Sequence, residues 1–265
     1  MFEPFEIEMG IPRHAAGPRQ VARAAEIWRL FQELALQATC AVGWPPERYL
    51  QAGTAFVVYG ITGVHLRQVA YAERLRARTW VHDFKRGTLT RRQVRLFDER
   101  GPVASGTQQW VHTNASLAPV AAGPELLAAF PCHPGEPCVS LPETVEALSG
   151  AWFEFEVRPW FTWMDPLDHV NHPAWVDFCD EGTMRALAAA GIDPQLLVPV
   201  AEQLVFKRGA LAMEELRVRT RLAGRTQAGD AVLEHEIDGP TGLYGKGTTV
   251  RRLADGADLA GRLRS

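Results

Sequence analysis

The fold is decided by a stretch that the chain carries twice, ERLRART at positions 73–79 and EELRVRT at positions 214–220. Apolar and charged residues alternate in both copies, which is typical of a β-strand with one buried face. A second pair follows each copy at a similar distance, GTQQWV at 106–111 and GKGTTV at 245–250. The chain therefore contains an internal repeat, and its two halves are predicted to share one architecture.

Each half opens with a short alternating segment, FEIE at 5–8 and FEFE at 153–156, and continues into a helix-like stretch. The first helix is predicted at about 20–42, where apolar residues recur with a period of about 3.6. The second is predicted at about 173–190, because Pro173 suits a first helical turn and Gly191 suits a helix end.

Four strand-like runs follow each predicted helix: 54–67, 73–83, 88–98 and 103–113 in the first half, and 198–207, 214–222, 230–238 and 242–253 in the second. A long apolar helix needs a sheet to cover it. The sequence thus predicts an α+β fold with two halves, 1–117 and 151–265, joined by a Pro/Ala/Gly-rich linker, 118–150, with one short helix near 125–130.

The composition excludes some classes of partner. The 265-residue chain has a formal net charge of −3 and no basic block, which argues against a nucleic-acid surface. No apolar run approaches the roughly 20 residues of a spanning helix, and the first residues lack the pattern of a secretory signal. We therefore expect a cytoplasmic protein with no membrane partner.

Candidate chemistry is concentrated just before the second predicted helix, in Asp165-Pro166-Leu167-Asp168-His169-Val170-Asn171. Asp165 can act as a general base or a nucleophile, and His169 and Asn171 could orient a water or the carboxylate. A competing interpretation is structural, because Asp before Pro initiates turns and Asn171 and His172 are good capping residues. Asp165, Asp168, His169 and His172 would also permit a metal site, although we predict none.

This motif and the repeated layout resemble the hotdog-fold thioesterases, whose pattern is an Asp, three residues, His-Val-Asn, an aromatic residue and an acidic residue. Trp175 takes the aromatic position, and Glu181 or Asp180 takes the acidic one. The resemblance implies a tandem double hotdog, with two long central helices each wrapped by antiparallel strands of one large sheet. It covers both halves in layout, and the motif covers only the second. The layout resembles that of the fatty acyl-ACP thioesterases and of the 4-hydroxybenzoyl-CoA thioesterase-like acyl-CoA thioesterases.

Two departures separate the chain from the plant acyl-ACP enzymes. Leu167 stands where those enzymes have Asn, and the stretch FKRGA at 206–210 lacks their Glu-Cys pair. The first half has also lost the motif: alignment on the preceding strand puts His14 near the position of Asp165 and Pro18 near that of His169. One of the two equivalent sites is therefore expected to be inactive.

The resemblance implies hydrolysis of acyl-CoA or acyl-ACP thioesters, with Asp165, His169 and Asn171 as catalytic residues. Backbone N–H groups at the start of the second helix would polarise the carbonyl. Trp163 and Trp175 would line the acyl channel, and Lys207 and Arg208 would contact phosphates. No cofactor is expected beyond the CoA or phosphopantetheine of the substrate, and the chain could be a monomeric pseudo-dimer or a homodimer.

Two other functions stay open on the sequence. A hotdog hydratase or dehydratase also uses an Asp and a His, usually five residues apart rather than the four found here. A non-catalytic acyl-CoA-binding module is conceivable because one half has already lost the motif.

Overall fold

A computed structural model describes residues 3–263. Its strands are β1 (Phe5–Gly10), β2 (Thr54–His65), β3 (Arg74–Lys85), β4 (Leu89–Asp98), β5 (Gly101–Asn114), β6 (Thr144–Ala147), β7 (Phe153–Val157), β8 (Leu197–Phe206), β9 (Leu216–Thr226), β10 (Ala231–Gly239) and β11 (Gly242–Leu253). They form one eleven-stranded sheet in the order β1-β3-β4-β5-β2-β8-β11-β10-β9-β6, with β7 also paired to β9. All pairings between these strands are antiparallel, so the predicted large antiparallel sheet is confirmed.

The helices are α1 (Ala24–Ala41), α2 (Pro46–Gln51), α3 (Pro124–Ala129), α4 (Ala174–Ala189) and α5 (Leu259–Arg262). The two long helices contact each other, and each lies against strands of its own half: α1 against β1, β3 and β4, and α4 against β7, β8 and β9. Trp28, Phe31 and Leu34 of α1 are fully buried at this interface. Their spacing of three residues fits the apolar period of about 3.6 residues from which the helix was predicted.

Three elements have no counterpart in the sequence-based prediction, namely α2, β6 and α5. The helices α2 and α5 are six and four residues long, too short for a helical period to emerge. All four residues of β6 are exposed, so its sequence has no buried face to produce an alternation. Both ends of the predicted linker pack on the sheet: β6 pairs with β9, and Leu126 and Phe130 are buried against Trp44 and Val81.

The two halves meet where β2 pairs with β8, with Gly63 directly opposite Glu202. The fully buried Glu202 carboxylate accepts from the Trp28 indole N–H at 3.2 Å and lies 2.7 Å from His65 Nε2. Arg251 donates to the same carboxylate at 2.5 Å and also pairs with Asp180 of α4 at 2.8 Å. One carboxylate thus connects α1 and β2 with β11, and through Arg251 with α4.

Gly63 is required for this close approach. A Cβ atom at this position would lie 3.0 Å from Trp28 Nε1 and 3.4 Å from Glu202 Oε2. Any larger residue would push the indole and the carboxylate apart. The glycine thereby allows the central hydrogen bond between the two halves to form.

We predict that Glu202→Gln lowers the free energy of unfolding by about 3–5 kcal/mol, because it leaves the buried Arg251 guanidinium with an incomplete set of partners. Urea denaturation measures this loss. The matched control is Glu234→Gln, which breaks a half-exposed pair with Arg221 and should cost no more than about 1 kcal/mol. Equal losses in the two variants would contradict a central role for Glu202.

The contribution of Glu202 should also depend on pH. Burial alone would raise the pKa of Glu202, but the neighbouring His65 and Arg251 lower it to about 2, below its ordinary value of 4.5. A depressed folded-state pKa stabilises the fold fully above the unfolded-state value, and the stabilisation is lost as the pH falls towards 2. Below about pH 4.5, the stability difference between the wild type and Glu202→Gln should therefore shrink as the pH falls. A difference that grows on acidification within this range would overturn this assignment.

Candidate active site

The segment before α4 forms a tight turn around Asp165. The turn is closed by hydrogen bonds from Asp165 N to His169 O at 2.7 Å and from Asp168 N to Asp165 O at 2.9 Å. Asp165 Oδ1 accepts from Leu167 N at 2.8 Å and from His169 N at 3.4 Å. Asp165 therefore does stabilise its own turn, while none of residues 3–263 donates a hydrogen bond to its Oδ2.

The first half contains the same turn without the carboxylate. Gly17 N donates to Val21 O and Gln20 N donates to Gly17 O, both at 2.9 Å, and Gln20 shares the positive φ of Asp168. Gly17 and Val21 thus occupy the positions of Asp165 and His169. The predicted equivalence with His14 and Pro18 is wrong by three residues, because alignment on the preceding strand alone did not fix the loop register.

A pocket of about 810 Å³ opens beside the Asp165 turn and runs between α1, α2 and the sheet of the first half. Asp165, His169 and Val170 border it, and its walls are largely apolar: Ala35, Leu36, Trp44, Phe56, Val58, Val81, Phe84, Trp110 and Phe130. The motif comes from the second half, and most of the pocket walls come from the first. In the second half, Leu187, Leu222, Leu253 and Leu259 pack together into a buried cluster.

His169 is half-buried and lies directly on Gly209, which follows β8. A Cβ at residue 209 would lie 2.2 Å from His169 Cδ2, so no side chain fits there unless the imidazole moves. Both residues line the pocket. The absence of a side chain at Gly209 is what lets the His169 ring take this position.

His172 also lines the pocket, although its place in the sequence predicted only a capping or metal-binding role. It lies against Trp110 and Phe206, with ring centroids 6.0 and 6.1 Å away. Its buried Nε2 has no hydrogen-bond partner among the described residues. Burial, helped by the charge of Arg29, lowers the pKa of His172 to about 3, so the ring is neutral near pH 7. Its position in sequence, three residues after His169, was the only signal available.

Asn171 lies on the other side of the turn. Its Oδ1 accepts from Gln32 Nε2 of α1 at 2.9 Å, which leaves its Nδ2 as a donor. Asn171 and Asp165 both border a second cavity of about 440 Å³, into which Glu26 and Arg29 also project. Asp165 therefore stands between the apolar pocket and this more polar cavity.

The first backbone amides of α4 are already engaged. Ala174 N, Trp175 N and Val176 N donate to the backbone oxygens of Asn171, His172 and Pro173 at 2.9, 3.2 and 3.1 Å. The structure does not support the predicted role of these amides in polarising a carbonyl. Hydrogen bonds to the carbonyl three residues earlier satisfy backbone donors that the first turn of an α-helix otherwise leaves without a partner.

Trp175, Lys207 and Arg208 all border the apolar pocket. Trp175 is buried against Phe206 at a centroid distance of 5.7 Å, whereas Lys207 and Arg208 are exposed. Trp163 is not among the described residues that line the pocket; its ring packs on Trp160 and Phe178 at 5.0 and 5.6 Å.

The residues in the acidic position of the motif have other partners. Asp180 pairs with Arg251, and Glu181 pairs with Arg185 one helical turn away at 2.7 Å.

Cys179 is fully buried, and burial raises the pKa of its thiol, which disfavours the reactive thiolate. Within residues 3–263, no group of three or more His, Cys, Asp or Glu side chains is arranged to hold a metal ion. No helix in the same range is long and apolar enough to cross a bilayer.

No protein-family model and no curated protein sequence matches the chain. Solved structures do match over nearly its whole length. A protein of Lactobacillus plantarum named as an oleoyl thioesterase has a TM-score of 0.81 at 15% identity, covering 95% of this chain and 96% of its own.

Two acyl-ACP thioesterases are also similar. The enzyme of Bacteroides thetaiotaomicron has a TM-score of 0.74 at 12% identity, with 94% of this chain and 97% of its own covered. The 12:0-ACP thioesterase of Umbellularia californica has a TM-score of 0.73 at 15% identity, with 94% of each chain covered. This chain thus shares the overall fold of these thioesterase structures, a large antiparallel sheet with few helices, as a hotdog-type fold predicts.

Proposed function

We propose that the protein hydrolyses acyl thioesters of CoA or acyl carrier protein to a free acid and a thiol. The observation that carries the proposal is the position of Asp165 and His169 at the mouth of a largely apolar pocket of about 810 Å³. A reactive carboxylate and imidazole beside a pocket of this size and lining suit a substrate with a polar reacting end and an apolar tail. The thioesterases that share the fold support the same reaction.

The acyl chain would enter the apolar pocket and leave its thioester carbonyl beside the Asp165 turn. The exposed side chains of Lys207 and Arg208 stand at the rim of that pocket, where they can contact the phosphates of CoA or phosphopantetheine. The carrier is part of the substrate, and the proposed reaction uses no other cofactor.

In the proposed reaction, Asp165 Oδ2 takes a proton from water while the water oxygen attacks the carbonyl carbon. The carbon–sulfur bond then breaks, and the departing thiolate takes the proton from Asp165, which regenerates the carboxylate. Direct attack by Asp165 would give an anhydride that water hydrolyses to the same products. His169 and Asn171 Nδ2 would orient the water or the carboxylate, and the neutral, unpaired His172 Nε2 is available to the substrate inside the pocket.

We also propose that each half, 1–117 and 151–265, is one hotdog unit in which a long helix is wrapped by its own strands, with 118–150 as the connecting segment. A single chain then contains both halves of a two-subunit arrangement, so a monomer would suffice for the reaction. The unit that supplies the Asp165 turn and the unit that supplies the pocket would be different ones. Catalysis would therefore depend on the junction between them.

We predict that Asp165→Asn lowers kcat/KM for acyl-thioester hydrolysis by at least ~100-fold, the usual effect of removing a positioned acid or base. Asn is the informative replacement because its side-chain oxygen can still accept from Leu167 N and His169 N and so preserve the turn. Thiol release from acyl-CoA and acyl-ACP over a range of chain lengths measures the effect.

The matched control is Asp168→Asn, three residues away. Asp168 is exposed and has a φ of 59°, a conformation that Asn tolerates well. This variant should keep nearly full activity. Full activity in Asp165→Asn would refute the site, and hydration of an enoyl thioester without thiol release would favour the hydratase alternative.

A second prediction concerns Gly209. Gly209→Ala would force the His169 ring from its position, since the added Cβ would overlap it. Displacement of a reacting group by about 1 Å can cost on the order of 100-fold in rate, so kcat should fall with little change in thermal stability. Leu211→Ala serves as the control in the same loop, because Leu211 is exposed. Unchanged kcat in Gly209→Ala would rule out His169 as a catalytic residue.

A further inference from the structure

The apolar pocket contains an arginine with no oppositely charged partner among residues 3–263. Arg92 lines the pocket from β4 and is only 7% exposed. Its NH1 reaches Thr79 Oγ1 at 3.3 Å, the Phe130 ring lies 5.6 Å away, and no described carboxylate pairs with it. Burial lowers the pKa of Arg92 to about 10, and the side chain is still charged at neutral pH. A buried, unpaired charge is costly unless something else satisfies it.

Two further hydrogen-bond donors accompany Arg92. Gln108 lies opposite it on β5 and is fully buried; its Oε1 accepts from Trp110 Nε1 at 3.4 Å, and its Nε2 has no partner among the described residues. The Tyr49 hydroxyl, on a pocket-lining residue of α2, is likewise buried without a described partner. Tyr49 is close enough to Arg92 for the two to interact electrostatically. Arg92 and Tyr49 both border the pocket, which therefore has N–H and O–H donors beside one positive charge.

Arg92 and Tyr49 border the pocket from β4 and α2, which are separate from the turn that carries Asp165. Along α1 the pocket is bordered first by Gln32, which bonds Asn171, and finally by Thr39. Thr39 precedes Cys40, which is near enough to influence Tyr49. Thr39 comes seven positions after Gln32 in the helix, which corresponds to a rise of about 10 Å. A chain of medium length would connect the two ends.

We propose that the acyl group bound in this pocket carries a second carboxylate at its far end, received by Arg92 together with Tyr49. This substrate class rests on the proposed thioesterase function and narrows it to ω-carboxyacyl thioesters. A guanidinium binds a carboxylate through charge-assisted hydrogen bonds, and the neighbouring hydroxyl adds a further donor. A chain ending in a methyl group would leave these donors unpaired, and sites of this type discriminate strongly against such analogues.

The test compares CoA thioesters of straight-chain monocarboxylic and α,ω-dicarboxylic acids of equal length, from about six to twelve carbons. The wild type should prefer the ω-carboxyl series in kcat/KM by at least ~100-fold at its best length. Arg92→Met, which is apolar and similar in size, should reduce that ratio by at least ~100-fold, and the milder Tyr49→Phe should reduce it in the same direction. Arg91→Met is the matched control, because Arg91 is paired with Asp83 outside the pocket, and its ratio should equal that of the wild type.

A binding measurement separates this proposal from the proposed reaction. Hydrolysis-resistant CoA thioethers, with either a carboxylate or a methyl group at the far end, are titrated by calorimetry into the wild type and Arg92→Met. Tighter binding of the carboxylate thioether, lost in Arg92→Met, supports the proposal even if no thioester is hydrolysed. Equal binding of the two thioethers, weaker binding of the carboxylate one, or a preference unaffected by Arg92→Met overturns it.

Discussion

Glu202 is buried where the two halves meet, and its carboxylate has partners on elements of both halves. It joins the Trp28 indole of α1 and His65 of β2 to Arg251 of β11, which in turn holds Asp180 of α4. A buried carboxylate is tolerated only when its partners are fixed in place, so this cluster sets the positions of both helices relative to the shared sheet. The Asp165 turn and the pocket belong to different halves, and their alignment depends on this junction.

The two halves repeat one backbone plan but have diverged in side chains. The turn at Asp165 is reproduced at Gly17 with the same hydrogen bonds, yet glycine brings no carboxylate. The second half fills its interior with a leucine cluster, whereas the first half keeps a pocket open beside the remaining carboxylate. The second half therefore carries the Asp165 motif and the first half most of the pocket walls, so the candidate site lies at the interface between them.

The structural role of Asp165 in its turn is compatible with the chemical role proposed for it. One oxygen holds the turn and the other is left without a described donor, so the turn itself fixes the direction of the free oxygen. His169 depends in the same way on the missing side chain of Gly209. Arg92 is the opposite case within the same pocket, a charged group with which no described carboxylate pairs. Polar groups of this kind distinguish the walls of the pocket from the ordinary apolar core.

The sequence alone determined the repeat, the strand order along each half and the position of the Asp165 motif, because alternation, helical period and turn residues are local properties. It could not fix the loop register that equates Gly17 with Asp165, since hydrogen bonds of the folded turn define that equivalence. Nor could it show that His172, Tyr49 and Arg92 line one pocket, or that the first backbone amides of α4 already donate hydrogen bonds. These features arise from contacts between residues distant in the chain, which only the packing of α1, α2 and the shared sheet brings together.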